Sequence, residues 1–124
     1  MSHLATIELA VNDLGTLDRA CQRMGLKLVQ GQKSYKWYYG SKDCDHIISV
    51  PGANYEIGIH HKDGKYELET DFWDEGIKSA IGENGGFLKQ RYAVERTKAE
   101  AVRKGYRVIE KKMENNQIRL HVRM

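Results

Sequence analysis

The side chains best suited to acid–base or metal chemistry are concentrated in one segment, residues 54–74. We call them the acidic hairpin face, a set of four carboxylates and one imidazole that are evenly spaced within each of two runs: Glu56 and His60, then Glu67, Glu69 and Asp71. Carboxylate oxygens with one imidazole are a ligand set that suits manganese, iron or zinc. One hypothesis is therefore a metal-dependent hydrolase that uses four of these residues: Glu56, His60, Glu67 and Asp71.

A β-hairpin is predicted to position this face. Two alternating runs flank Asp63-Gly64, the strongest short hairpin signal in a sequence. A two-residue loop pairs Lys62 with Lys65, and the register then places His60 opposite Glu67 and Glu56 opposite Asp71. The other face of the hairpin is apolar and should be buried; it carries Tyr55, Ile57, Ile59, Tyr66, Leu68 and Phe72.

Three explanations of the acidic hairpin face stay open at this stage. Directly opposed carboxylates such as Glu56 and Asp71 repel each other, which destabilises a sheet unless something neutral or cationic lies between them. The face can be solvated or covered by a partner, it can be ion-paired with basic residues of the long helix, or it can bind metal. Adjacent His60 and His61 point to opposite faces of a strand and cannot chelate one ion. We therefore assign no metal, cofactor or catalytic residue.

A second candidate site combines aromatic and basic residues. The segment 33–39 interleaves lysines with aromatic residues, a pattern that can stack a planar ligand or fill a core. In this hypothesis Trp37 and Tyr39 stack on a small anionic ligand such as a nucleotide. Three cations further along the chain would neutralise that ligand: Lys89, Arg91 and Arg119.

The pattern of elements predicts an α+β fold in a single domain spanning residues 1–124. The expected order is β-α, four or five strands, α, β-β, forming one antiparallel sheet with two or three helices packed on one face. A strand is predicted over 34–39, a polar turn over 40–45 and a long helix over 87–104. The final hairpin turns at Asn115-Asn116, and four of its side chains can face the core: Val108, Ile118, Leu120 and Val122.

Composition narrows the class of protein. The chain has 124 residues, of which 40% are hydrophobic and 30% charged, as in ordinary globular domains. It contains no apolar run of membrane-spanning length and no pattern typical of a signal peptide, and its two cysteines are too few for a disulfide framework. We therefore expect a cytoplasmic protein with no membrane partner. The net charge of +3 permits nucleic-acid contact but does not argue for it.

Several segments together resemble a known family. They are MSHLATI at the start, NYEIG and DGKYELETDFW in the middle, and LKQRYAVERTKAEAVRKGYRV and IRLHV at the end. The chain resembles the plastid conserved hypothetical open-reading-frame family, a domain of unknown function shared by plastids, cyanobacteria, other bacteria and some phages. The resemblance implies a small stand-alone protein with no catalytic residues to carry over. Gene neighbourhoods with ferredoxin-like and ATPase proteins make an adaptor role plausible.

These observations favour a non-enzymatic interaction or adaptor protein. The expected partner is a protein, which would bind the acidic hairpin face or the basic C-terminal region. The alternative is a binder of a small anionic ligand, possible in a phage protein that sequesters a host signal. Homodimer formation stays open, because an antiparallel sheet with a terminal hairpin leaves an edge that a second copy can cover.

Overall fold

The computed structural model describes residues 4–114 and 117–124 and confirms the α+β class. Its elements are β1 (Leu4–Val11), α1 (Leu14–Arg23), β2 (Lys27–Gln30), β3 (Ser34–Trp37), β4 (Gly40–Asp43), β5 (His46–Ser49), β6 (Ile57–Lys62), β7 (Lys65–Asp71), α2 (Glu75–Ile81), α3 (Gly86–Arg103), β8 (Arg107–Lys112) and β9 (Ile118–Arg123). A short 3-10 turn precedes α3. No helix within the described residues is long and apolar enough to cross a membrane.

A five-stranded antiparallel sheet forms the centre of the molecule, with the strand order β1-β7-β6-β5-β2. The predicted register of the β6–β7 hairpin is confirmed from Lys62 opposite Lys65 to Ile59 opposite Leu68. Both loop residues, Asp63 and Gly64, have positive φ angles of 52° and 77°. Positive φ at both positions is the requirement of the turn that matches the twist of two paired strands.

The helices cover one face of this sheet. Apolar residues of β6 and β7, including Ile57, Ile59 and Leu68, are fully buried there against all three helices. Leu17 of α1, Ile77 of α2 and Leu88 of α3 belong to the same cluster. This is the main core, and it confirms that the apolar face of the hairpin is buried.

The opposite face of the sheet is covered by a second, smaller layer, the β3–β4 ribbon. A second, smaller apolar cluster lies between this ribbon and the sheet. Adjacent Ile47 and Ile48 lie on opposite faces, because Ile48 packs in the main core while Ile47 packs with Tyr35 and Cys44 in the second cluster. The sequence predicts a polar turn over 40–45, and this prediction is wrong. Gly40–Asp43 is strand β4, and the chain reverses at residues 38–39 instead.

The sequence gives no signal for this chain reversal, because residues 38 and 39 are both tyrosines, which are not typical turn formers. Trp37 pairs with Gly40 across the ribbon, so Tyr38 and Tyr39 form the two-residue loop. Gly40 makes this two-residue loop possible with a φ of 114°, a backbone conformation that residues with a Cβ rarely adopt.

A second ribbon, β8–β9, lies at the end of the chain and contacts α3. Its register pairs Arg107 with Arg123 and Lys112 with Ile118. The predicted turn at Asn115-Asn116 lies outside the described residues. Val122, predicted to face the core, is 47% exposed. Val108, Ile118 and Leu120 are half-buried, and neither core cluster of the described residues includes them.

Candidate partner-binding surfaces

The structure corrects the expected exposure of the acidic hairpin face, because the β3–β4 ribbon covers it. Asp71 is fully buried, Glu56, His60 and Glu69 are half-buried, and only Glu67 is exposed. Four of the five residues therefore lie partly or wholly beneath other parts of the protein.

Two of these carboxylates hold the main chain of neighbouring segments. The Asp71 carboxylate accepts hydrogen bonds from the main-chain N–H groups of Tyr38 and Trp73, at 3.1 Å each. Glu56 Oε1 accepts from the Lys36 N–H at 3.0 Å, and the Glu56 N–H donates to the Lys36 carbonyl at 3.1 Å. A carboxylate bonded to main-chain amides is a fixed structural acceptor, which leaves it less available to a ligand.

Glu69 is the centre of a small network beneath the ribbon. Its Oε1 atom accepts from the Tyr35 hydroxyl, lies 2.8 Å from Lys42 Nζ and lies 3.4 Å from His60 Nε2. Burial alone would raise the pKa of Glu69, but the hydrogen bonds from Lys42 and Tyr35 outweigh it and lower that pKa. Burial, reinforced by the Glu69 charge, raises the pKa of Tyr35, so its hydroxyl stays a neutral donor. The lysine that forms an ion pair with Glu69 is thus Lys42 of the β3–β4 ribbon, and it does not come from the long helix.

The described residues contain no group of three or more histidine, cysteine, aspartate or glutamate side chains arranged to hold a metal ion. His61, next to His60, lies on the other face and stacks on Tyr66 with ring centres 4.7 Å apart. The histidine pair is therefore divided between the two faces of the sheet, as strand geometry requires.

The five residues of the candidate anion site are not brought together. Trp37 packs with the cluster beneath the β3–β4 ribbon, and its ring lies 5.1 Å from that of Tyr39. Arg91 and Lys89 belong to α3, which packs on the opposite face of the sheet. Arg119 lies on β9 in the second ribbon.

Arg91 has a structural partner on β8. Its guanidinium lies 3.0 Å from Glu110 Oε1 and 3.3 Å from Glu95 Oε2, and Lys98 Nζ lies 2.6 Å from Glu110 Oε1. We call these four residues the ion-pair tether, since they join α3 to the β8–β9 ribbon. Hydrogen bonds from Arg91 and Lys98 lower the pKa of Glu110 to about 2.

The outer side of the β8–β9 ribbon is an exposed surface that carries four cations. Glu110 faces α3, so by strand alternation its neighbours in sequence face away. These outward residues are all exposed, and we call them the open basic face: Arg107, Ile109, Lys111, Arg119, His121 and Arg123. Arg107 is directly opposite Arg123 and Lys111 is directly opposite Arg119. No carboxylate of residues 4–114 or 117–124 lies within 4.0 Å of these four cations.

A family model described as "Protein of unknown function (DUF1257)" matches residues 20–121. The chain belongs to this family. It is also 25% identical over 120 residues to the "Uncharacterized protein ycf35" of Cyanophora paradoxa, covering 94% of this chain and 91% of that protein. The resemblance to a plastid family is thereby confirmed. No solved structure matches the chain. The matched DUF1257 region includes the β3–β4 ribbon and strand β8, and it ends within β9, before Val122 and Arg123.

Sequence reasoning missed a third surface in this DUF1257 chain, formed by exposed aromatic residues. Tyr38 is 54% exposed and Trp73 is 61% exposed. Both line a shallow cleft of about 540 Å³ together with Tyr55, which we call the aromatic cleft. The two tyrosines come from distant segments of the chain, and Asp71 ties Tyr38 to Trp73 through their main-chain amides. Local sequence carries no signal for this arrangement.

Proposed function

We propose that this protein is a non-enzymatic interaction module whose open basic face binds an acidic segment of a partner protein. The observation that carries the proposal is the register of β8 and β9. It sets two pairs of like charges directly opposite each other, Arg107 with Arg123 and Lys111 with Arg119.

Such pairs weaken the ribbon that carries them. Like charges at directly opposed strand positions are destabilising, by roughly the 0.2–1 kcal/mol that an opposite-charge pair contributes. Within the described chain no carboxylate reaches these cations to neutralise them. Carboxylates of a partner would remove the repulsion, so that binding recovers free energy which the free protein lacks.

The composition of the face favours a protein over a nucleic acid. Ile109 lies between the two pairs of cations and is 43% exposed. An apolar centre flanked by charge suits a polypeptide that carries an apolar side chain among its carboxylates. The face has no phenylalanine, tyrosine or tryptophan on which a base could stack, and its one ring is the imidazole of His121.

The same charges disfavour a second copy as the occupant. A two-fold contact brings the same patch of each subunit together. Arginines of one open basic face would then meet arginines of the other, which raises the electrostatic cost of the contact.

Photo-crosslinking tests this proposal. His121, which is exposed and lies opposite Ile109, is replaced by p-benzoylphenylalanine, and the protein is irradiated in cells of its own host. We expect one reproducible adduct, and mass spectrometry should map the crosslink to an acidic segment of another protein.

The deciding comparison is between two double variants with the same change in net charge. Arg119→Glu with Arg123→Glu reverses one member of each like-charge pair and should reduce the adduct at least about tenfold, in line with the loss expected from two reversed interface charges. Lys27→Glu with Lys65→Glu changes exposed lysines of the main sheet and should leave the adduct unchanged. An adduct that survives in the first variant, that joins two copies of this chain, or that nuclease treatment removes would overturn the proposal.

A further inference from the structure

The aromatic cleft is a second site, on the other ribbon and with the opposite charge preference. We infer that it receives an arginine side chain of a partner polypeptide, between the rings of Tyr38, Tyr55 and Trp73. This inference goes beyond the proposed function and does not depend on the open basic face.

The residues of segments 4–114 and 117–124 that line the cleft combine π faces with carboxylates and include no cation. Besides the three aromatic residues they are Gly52, Asn54, Asp74, Glu75 and Gly76. Aromatic rings attract cations through the negative potential of their faces, and tryptophan does so most strongly. Glu75 lies at the rim with its side chain 84% exposed, and its Oε1 atom lies 3.6 Å from Lys78 Nζ in an exposed ion pair that an incoming guanidinium can replace.

Asp74 gives the cleft a buried negative charge. Its carboxylate accepts hydrogen bonds from the main-chain N–H groups of Asn54, Tyr55 and Gly76 at 2.8, 2.9 and 2.9 Å. All three donors are neutral, so the charge of Asp74 is solvated by amides without being cancelled. A cation in the cleft would be attracted to it and an anion would be repelled.

The walls of the cleft are held in place before any ligand arrives. Asp74 joins segment 54–55 to the first turn of α2, and Asp71 joins the β3–β4 loop to Trp73. Gly76 lets these segments meet, because a Cβ at this position would lie 2.7 Å from the Ala53 Cα and 2.8 Å from the Gly52 carbonyl oxygen. Aromatic rings on a fixed main chain lose little further entropy when they bind.

Arginine fits this surface better than other side chains. Its planar guanidinium stacks on aromatic faces while its N–H groups form paired hydrogen bonds with a carboxylate such as that of Glu75. The cleft is also shallow, which suits the end of a side chain presented by a larger partner.

NMR titration of the indole N–H signals tests the inference. The chain has two tryptophans, so Trp37→Phe assigns the two signals and Trp37 serves as the internal reference. The probe is N-acetyl-arginine amide, and its control is N-acetyl-citrulline amide, which has nearly the same shape without the charge. We expect the arginine probe to shift the Trp73 signal saturably at millimolar concentration, and the citrulline probe to leave it in place.

Three variants sharpen the result. Tyr38→Phe keeps the ring and should retain binding, whereas Tyr38→Ala should abolish the saturable shift. Glu75→Gln should weaken binding about threefold, as expected for one exposed charge pair. The Arg119→Glu, Arg123→Glu protein should bind the probe normally, which separates this site from the proposed function. Equal shifts with citrulline, no saturable shift up to about 100 mM probe, or full binding by Tyr38→Ala would overturn the inference.

Discussion

The two ribbons of this protein are attached to the rest of the molecule in different ways. The β3–β4 ribbon covers the main sheet through buried Tyr35 and through carboxylates that accept its main-chain amides. The β8–β9 ribbon is joined to α3 by the ion-pair tether and leaves its other side open. Buried apolar contacts and hydrogen bonds respond little to salt, whereas partly exposed ion pairs weaken as the salt concentration rises. The attachment of the first ribbon should therefore depend little on salt, as expected for part of the core, whereas the attachment of the second should weaken in high salt.

The largest expected effect comes from closing the space beneath the first ribbon. Gly58 lies under the Tyr35 ring, and an added Cβ would lie 2.4 Å from two of its carbons. Because both groups are buried, Gly58→Ala must displace the ribbon, at a cost of about 2–3 kcal/mol in the free energy of unfolding. Urea denaturation measures this cost.

Gly86→Ala is the matched control. A Cβ at Gly86 meets nothing within 4 Å, and the residue begins α3 with an ordinary helical φ of −58°. This change should be neutral or slightly stabilising. Equal stability of the two variants would show that Tyr35 does not pack on Gly58.

Removal of the Tyr35 hydroxyl should have the next largest effect. Tyr35→Phe keeps the buried ring but leaves Glu69 without one of its hydrogen-bond donors, so we expect a loss of about 1–2 kcal/mol. Urea denaturation should give the same loss in the free energy of unfolding at about 0.05 M and at about 1 M salt, since a buried hydrogen bond is screened little. A loss that disappears in high salt would contradict the view that this ribbon belongs to the core.

Glu110→Gln tests the tether of the second ribbon. The pKa of Glu110 is lowered from 4.5 to about 2 in the folded protein. Its contribution is therefore fully present above about pH 5 and is lost as the pH falls toward about 2. We expect a cost of about 1 kcal/mol at neutral pH, since the tether is partly exposed and partly screened.

Two conditions should erase the difference between wild-type and Glu110→Gln protein in urea denaturation. One is a pH below about 2, where Glu110 is mostly protonated in the folded protein, and the other is about 1 M salt, where the screening length is about 3 Å. A difference that is as large at pH 2 as at pH 7 would mean that the Gln side chain disturbs packing and that charge is not the cause.

The smallest expected effect is an increase in stability. Arg123→Glu converts the pair with Arg107 from like to opposite charge, so the free protein should become more stable by about 0.5 kcal/mol. Thermal denaturation of this variant is compared with Lys27→Glu, which alters an exposed lysine opposite Ser49. If Arg123→Glu lowers the melting temperature, the arginine pair is not a source of repulsion and the argument for an acidic partner fails with it.

Prediction from the sequence succeeded where the controlling interactions are local. The Asp63-Gly64 loop and the alternation around it predict the register of β6 and β7, and the structure agrees from Lys62 opposite Lys65 to Gly58 opposite Glu69. The predicted pair of Glu56 with Asp71 lies outside the paired part of β6, which begins at Ile57. Helix α3 was expected over 87–104 and is found over Gly86–Arg103. Strand β4 was missed, since Tyr38 and Tyr39 occupy a loop without the residues that usually mark one.

By itself, the sequence determined that the β6–β7 hairpin has one apolar and one acidic face, because side chains alternate along a strand. Only the tertiary structure decided what covers the acidic face. A carboxylate can be satisfied by water, by a lysine or by main-chain amides, and nothing near Asp71 in sequence shows that one of its donors is Tyr38. The choice depends on Gly58, whose missing side chain leaves room for Tyr35, and such a fit exists only once both segments are in place.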